Sequence, residues 1–212
     1  MTPPPPPLFR VEPAGVRWLT PGLRKYSCEL TVDTNTVNRN LKLSDNNRKV
    51  THVEEDQPYP GHPERFGSWS QLLCRDGLTG RCYWEVQTRG RVEISVSYRG
   101  IRRTGDSRDC VFGCNDQSWS LDCSDGGYSV RHNNRKTSIS YPPVSDRVAV
   151  YVDCPAGSLS FYTVSSDSLI HLHTYNTSST QTLYPGFRFR SRGSSVSLCP
   201  VEDGESPPVS HC

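Results

Sequence analysis

Between Arg147 and Tyr162 the chain changes side with every residue. Val148, Val150 and Val152 alternate with Ala149, Tyr151 and Asp153, and after Cys154-Pro155-Ala156-Gly157 the alternation resumes, Leu159 and Phe161 opposing Ser158, Ser160 and Tyr162. A period of two places one row of side chains on one face of a strand. Proline presets φ for a type I turn, and glycine lets the chain leave it without a Cβ clash. The stretch predicts an antiparallel hairpin with an apolar inward row and a non-β conformation at Gly157.

A second hairpin follows from the same pattern. Cys82, Trp84 and Val86 oppose Tyr83, Glu85 and Gln87, a turn falls at Arg89-Gly90, and Val92, Ile94, Val96 and Tyr98 then oppose Arg91, Glu93, Ser95 and Ser97. Shorter strands are predicted over residues 28–32, 41–43, 49–53, 118–122, 128–132, 137–140, 170–174, 183–189 and 194–198, with a single helical turn over 23–27. Residues 54–68, rich in proline and glycine, and 99–117, rich in glycine and arginine, read as surface loops. About a dozen short strands with turn signals between them predict an all-β fold, an antiparallel sandwich of two sheets with little helix. Residues 1–22 read as a proline-rich linker, with Pro3 to Pro7 in polyproline II; 23–199 read as one domain and 200–212 as a flexible polar tail.

Composition narrows the class. The 212 residues are 33% hydrophobic with a formal charge of +2, a balance that argues against a general nucleic-acid binder. No apolar run is long enough to span a membrane, and Met1 to Pro7 lacks the features of a secretory signal, so a cytoplasmic location is expected. Nine cysteines is an odd number, and Cys28 is in step with Leu30 and Val32 as Cys82 is with Trp84 and Val86. The cysteines therefore read as buried reduced thiols, with no disulfide needed for folding. The sequon Asn176-Thr177-Ser178 would not meet its enzyme in that location.

Candidate chemistry is sparse. Cys110, Cys114, Cys123 and His132 are ligand types for zinc, but their spacing gives only one close pair. His171 and His173 share a strand face in this reading and are taken as solvated. A cysteine nucleophile at Cys110 or Cys114 would need a histidine brought near in space, and no phosphate cradle or nucleophile elbow is present. No metal, cofactor or catalytic activity is expected.

Several motifs resemble the PRY-SPRY (B30.2) family, over residues 23–199. Tyr83-Trp84-Glu85-Val86 matches its tryptophan-glutamate-valine motif, Leu30-Thr31-Val32-Asp33 its leucine-aspartate-proline motif with Thr34 in place of proline, and Val152-Asp153 its leucine-aspartate-tyrosine-glutamate motif with Cys154-Pro155 replacing the end. Asn115 to Leu121 and Leu183 to Phe187 add two more matches. The departures are similar to a fish branch found in NLR-type sensors, tripartite-motif proteins and stonustoxin-like toxins. The resemblance implies a bent β-sandwich that binds proteins or peptides through loops, has no active site, and serves an innate-immune or ubiquitin-linked protein. The alternative it implies is the C-terminal domain of a stonustoxin-like pore-forming protein.

Charge placement supplies the candidate binding residues. Arg99, Arg102, Arg103 and Arg108 fall in one loop, Arg131, Arg135 and Lys136 around a second turn, and Arg188, Arg190 and Arg192 near a third, where Phe187 and Phe189 should point in and the arginines out. The resemblance suggests that these loops gather on one face beside the acidic loop of Glu54, Glu55 and Asp56, an arrangement suited to an acidic protein or peptide partner. Trp69 either anchors that loop or presents an aromatic to the partner.

Overall fold

The computed structural model describes residues 9–11, 17–19 and 21–201, so Pro3 to Pro7 and nearly all of the tail lie outside the described residues. The strands are β1 (Phe9–Val11), β2 (Arg17–Leu19), β3 (Leu41–Ser44), β4 (Lys49–His52), β5 (Gln71–Leu73), β6 (Arg81–Arg89), β7 (Val92–Tyr98), β8 (Ser118–Ser124), β9 (Gly127–His132), β10 (Arg135–Ile139), β11 (Arg147–Asp153), β12 (Ser158–Ser165), β13 (Ser168–Asn176), β14 (Leu183–Phe189) and β15 (Ser195–Cys199). They form a nine-stranded sheet, β1-β2-β13-β12-β11-β6-β15-β4-β3, and a six-stranded sheet, β10-β9-β8-β7-β14-β5. The predicted antiparallel sandwich is the observed architecture.

Alternation builds the core as the sequence requires. Val148, Val150 and Val152 of β11, Leu159 and Phe161 of β12, and Cys82, Trp84 and Val86 of β6 meet Val92, Ile94, Val96, Leu121 and Phe187 from the facing sheet, all buried. Gly157 closes the central turn at φ +67°, its N–H bonded to Cys154 O at 3.2 Å. A Cβ there would lie 2.5 Å from Thr177 O, so the position needs glycine for space as well as for its dihedral.

Five expectations change. The turn at Arg89-Gly90 closes no hairpin: β6 lies between β11 and β15 in the nine-stranded sheet and β7 between β14 and β8 in the six-stranded one, so the chain passes from one sheet to the other there. Residues 28–32 form no strand and join no ladder: Val32 makes an isolated bridge to Cys74, and Ser27 just before them one to Tyr83. Strands β1 and β2 fall inside the stretch read as linker, and β2 pairs with β13 through Leu19↔Leu169 and Trp18↔Ile170. Cys28 and Cys82 are joined in a disulfide with Cα atoms 5.5 Å apart, within the ordinary range for such bonds. Both cysteines had the right phase for burial, but their approach is a tertiary fact that a separation of 54 residues hides. Finally, β13 skips Leu172 in its register, Phe161 facing His173 and Tyr162 facing His171, so this bulge separates the two histidines that simple alternation puts on one face. His173 packs on Tyr175 and His171 on Tyr162, both half-buried.

The outer face of the nine-stranded sheet is covered too. A 3-10 helix, Pro21–Tyr26, places Leu23 among Tyr83, Ala149, Tyr162, Val164 and Leu169. This cover explains why Ala149 and Tyr162, off-phase in the central hairpin, are as buried as the inward row, while Tyr151 beyond it is only half-buried.

Candidate functional site

The outer face of the six-stranded sheet is divided in two. At the end where β7 finishes and β14 begins, Leu73 and Tyr184 meet Phe66, Ile101 and Phe112, so residues 64–67 and 99–113 lie over the sheet as a lid. Gln71 fastens that lid: its Nε2 donates to Cys110 O at 2.7 Å and its Oε1 accepts from Phe112 N at 2.9 Å. Asn115 shapes the loop behind it, donating to Val111 O at 2.9 Å and accepting from Ser118 Oγ at 2.8 Å.

At the other end the face carries charge. Register places Arg188 beside Glu93 and Glu93 beside Asp122 across β14, β7 and β8. Arg188 Nη1 donates to Glu93 Oε2 at 3.0 Å, and Arg190 Nη1 and Arg91 Nη2 each donate to Asp122 Oδ2 at 3.0 Å. Arg190 also approaches Glu93 Oε1 at 3.6 Å. Glu93 is 1% exposed, and burial pushes its carboxyl up while Arg188 and Arg190 pull it back down. Three guanidinium groups thus surround two carboxylates, leaving one positive charge in excess on a surface whose rim, Arg91 and Arg190, reaches solvent. Trp69 closes one side, with the Arg188 guanidinium 5.0 Å from its ring centre. Trp69 Nε1, Asp122 Oδ1 and Arg91 Nε are buried atoms with no hydrogen-bond partner among the described residues, an uncommon concentration for one patch.

The loop of residues 54–68 runs alongside residues 34–41, with Gln57 N on Arg39 O at 2.7 Å and Phe66 N on Thr36 O at 3.1 Å, and is held at several points through its main chain. Arg39 donates to Tyr59 O at 2.6 Å, Arg65 to Pro60 O at 2.8 Å, Arg103 to Glu64 O at 2.6 Å, and Asn38 to Phe66 O at 3.1 Å and Gly67 O at 2.9 Å. Arg65 also bonds Thr34 O at 2.9 Å and Val37 O at 2.7 Å. Glu54 at its start pairs with Arg192; Glu55 and Asp56 are exposed, and Asp56 accepts from Asn40 at 3.0 Å.

The arginines do not form one patch. Leu183 pairs with Tyr98 and Phe189 with Val92, so β14 begins beside the loop of Arg99 to Arg108 and ends, with Arg190 and Arg192, at the opposite end of the sheet. Arg99 is engaged with Asp33 and with Glu64 in two bonds of 3.2 and 2.7 Å. Arg103 lies over the Phe66 ring at 4.9 Å and bonds Ile101 O at 3.0 Å, Glu64 O and Arg99 O, so it is a clamp and not free surface. Arg102, Arg108, Arg135 and Lys136 are exposed, Arg108 donating to Asn134 Oδ1 at 3.2 Å, while half-buried Arg131 donates to Cys114 Sγ at 3.4 Å.

Sequence reasoning misses Arg91, Glu93 and Asp122, although a glutamate near the start of a strongly alternating strand is the available signal. The zinc-type residues are dispersed: Cys123 faces the core and His132 stacks on Trp119 at 4.5 Å. Cys110 is buried with its Sγ on Thr104 O at 3.3 Å, and burial raises its thiol pKa, which disfavours the nucleophilic thiolate.

Comparison with known proteins identifies the fold. The SPRY-associated (PRY) domain pattern matches residues 30–78 and the SPRY domain pattern residues 81–201. Stonustoxin subunit alpha of Synanceia horrida is 40% identical over 176 residues, 82% of this chain and 25% of that protein. Tripartite motif-containing protein 16 of Mus musculus is 31% identical over 186 residues, 86% of this chain and 33% of that one. The chain therefore spans about a quarter to a third of the length of these curated relatives. Among solved structures, the TRIM65 PSpry domain superposes with a TM-score of 0.77 at 25% identity, over 84% of this chain and 93% of that one.

Proposed function

The chain belongs to the PRY-SPRY family, and from that premise we propose that it is a non-catalytic recognition domain that holds an acidic protein or peptide segment against the charged half of its six-stranded sheet. A protein-interaction module is the role that the family supports. The target-reading role, the innate-immune or ubiquitin-linked setting and the acidic ligand are our reading. We also place the domain in the cytoplasm, where the free thiols of Cys74, Cys110, Cys114, Cys123, Cys154 and Cys199 would persist.

The observation that carries the reading is the Arg91, Arg188 and Arg190 group around Glu93 and Asp122, with one positive charge in excess. A carboxylate from a ligand can take up the donors that Arg91 and Arg190 leave over, with Trp69 offering an apolar wall. Rim charges of this kind chiefly steer encounter and fix orientation.

The test is selection of a random peptide display library on the domain. Enriched peptides should be acidic, and Arg190→Ser should weaken them about tenfold, equivalent to roughly 1.4 kcal/mol, with a larger loss at low salt. Peptides without acidic bias, or equal binding by Arg190→Ser at low salt, would remove the proposal. The 40% identity to stonustoxin subunit alpha favours a second reading, the C-terminal domain of a stonustoxin-like pore-forming protein. Lysis of red cells or leakage of liposomes by the purified protein would support it over the first. No helix among the described residues is long and apolar enough to cross a membrane, which leaves strand-based insertion untouched.

A further inference from the structure

The Cys28–Cys82 bond joins two elements that differ in how firmly each is otherwise held. Cys82 lies within β6, inside the nine-stranded sheet and buried beside Trp84. Cys28 follows the 3-10 helix, is half-buried, and lines a cleft of about 340 Å³ together with Glu29, Leu30, Cys199 and Val201. Beyond the bond, the segment is held by Leu23 in its small apolar cluster, by Arg24 to Glu85 at 3.6 Å, by Tyr26 against Tyr151 at 6.0 Å with its hydroxyl accepting from Arg81 Nη1 at 2.9 Å, by Glu29 to Arg48 at 3.2 Å, by half-buried Leu30 against the main core, and by the Cys28 N–H on Tyr83 O at 2.9 Å. Among residues 22–30 only Leu23 is fully buried, and the helix they begin with is six residues long.

The location of the segment gives its attachment a consequence for the sheet. β15 pairs with β6 only from Arg89 back to Glu85, and Ser27 then takes the vacant slot beside Tyr83. The same segment covers Tyr83 and the carboxylate of Glu85, which is 4% exposed. Removing the segment would bare a strand edge and a buried acid together.

Six other cysteines among the described residues are free thiols. Chains that mature under oxidising conditions seldom keep so many unpaired thiols beside a single bridge, whereas in a reducing compartment a bond closes when the poise shifts and only where two cysteines already meet. We propose that the Cys28–Cys82 bond is a reversible redox latch, closed on oxidation to hold residues 21–30 on the nine-stranded sheet and opened by a small-molecule thiol of the glutathione class.

In the opening step, the reductant's thiolate enters by the cleft and bonds to Cys28 Sγ while the Cys28–Cys82 bond breaks. Cys82 Sγ leaves with the electron pair and takes up a proton. A second small thiol attacks the mixed disulfide, which frees Cys28 as a thiol and releases the reductant as its own disulfide. Two electrons and two protons pass to the protein, and closure reverses each step.

Hydrogen exchange on the whole chain, equilibrated in reduced or in oxidised glutathione, tests this, with alkylation and mass spectrometry reporting the state of Cys28 and Cys82. Amides of residues 22–30 should exchange about tenfold faster in the reduced protein, those of β7, β8 and β14 should not change, and oxidised glutathione should restore protection. Cys28→Ser should show the fast exchange under both conditions. Equal protection of residues 22–30 in the two states would overturn the latch. So would a bond that glutathione opens only when denaturant has unfolded the whole domain, since that bond would be a fixed structural crosslink.

Discussion

Two adjacent arginines offer the sharpest test of the loop architecture. Arg102 is exposed, whereas Arg103 bonds three main-chain carbonyls, of Ile101, Glu64 and Arg99, and lies over the Phe66 ring. Replacing Arg103 with methionine keeps an unbranched apolar stem and removes the donors. Each charge-assisted bond contributes about 1.5–3 kcal/mol and the ring contact about 0.5–1 kcal/mol. Water can reach part of the vacated site, and the variant no longer has to bury a guanidinium. A net loss of about 2–4 kcal/mol follows, which for a chain of this length lowers Tm by about 5–12 °C. Arg102→Met should stay within about 0.5 kcal/mol, as exposed substitutions do. Thermal and urea unfolding of the two variants beside the wild type give the comparison. A Tm for Arg103→Met within a degree or so of that for Arg102→Met would refute the clamp, and with it the view that the loop of residues 54–68 is a rigid rim.

Two further outcomes follow from the same contacts. Gly157→Ala should cost at least about 2 kcal/mol by urea midpoint, since φ is +67° and the new Cβ would meet Thr177 O at 2.5 Å. Hydrogen bonds from Arg99 hold the Glu64 carboxyl below the usual carboxylate range. A lowered folded pKa contributes stability above the unfolded value and loses it as pH falls through the folded one, so wild type should lose more stability than Arg99→Met on acidification below about pH 4.5, read by chemical unfolding at a series of pH values.

How much of this was legible depended on whether the signal was local. Alternation in Arg147 to Tyr162 sufficed for that hairpin, and in Cys82 to Tyr98 for two strands and their inward rows, because a period of two is written in adjacent residues, whereas the assignment of β6 and β7 to different sheets is not. The same rule failed at His171 and His173, where one inserted residue reverses the phase and leaves no mark in composition. The bond between Cys28 and Cys82 was invisible for a different reason, since each cysteine also fits as a small buried apolar residue. Among the arginines, exposure could be read from charge only as an average. Arg103 and Arg99 are consumed by carbonyls and carboxylates far away in sequence, while Arg91, Glu93 and Asp122 meet only when β7, β8 and β14 stand side by side.

The clamps on the loop of residues 54–68 share one property: they grip carbonyl oxygens of Tyr59, Pro60, Glu64, Phe66 and Gly67, atoms that exist whatever side chains those positions carry. Anchors that recognise only the main chain separate the shape of the rim from its chemical lettering. An exposed position such as Glu55 can then be rewritten from one lineage to the next while Arg39, Arg65 and Arg103 keep the path of the chain unchanged. A recognition surface that must keep pace with a changing target would gain from such a division, because its specificity could drift quickly without each change having to be reconciled with folding.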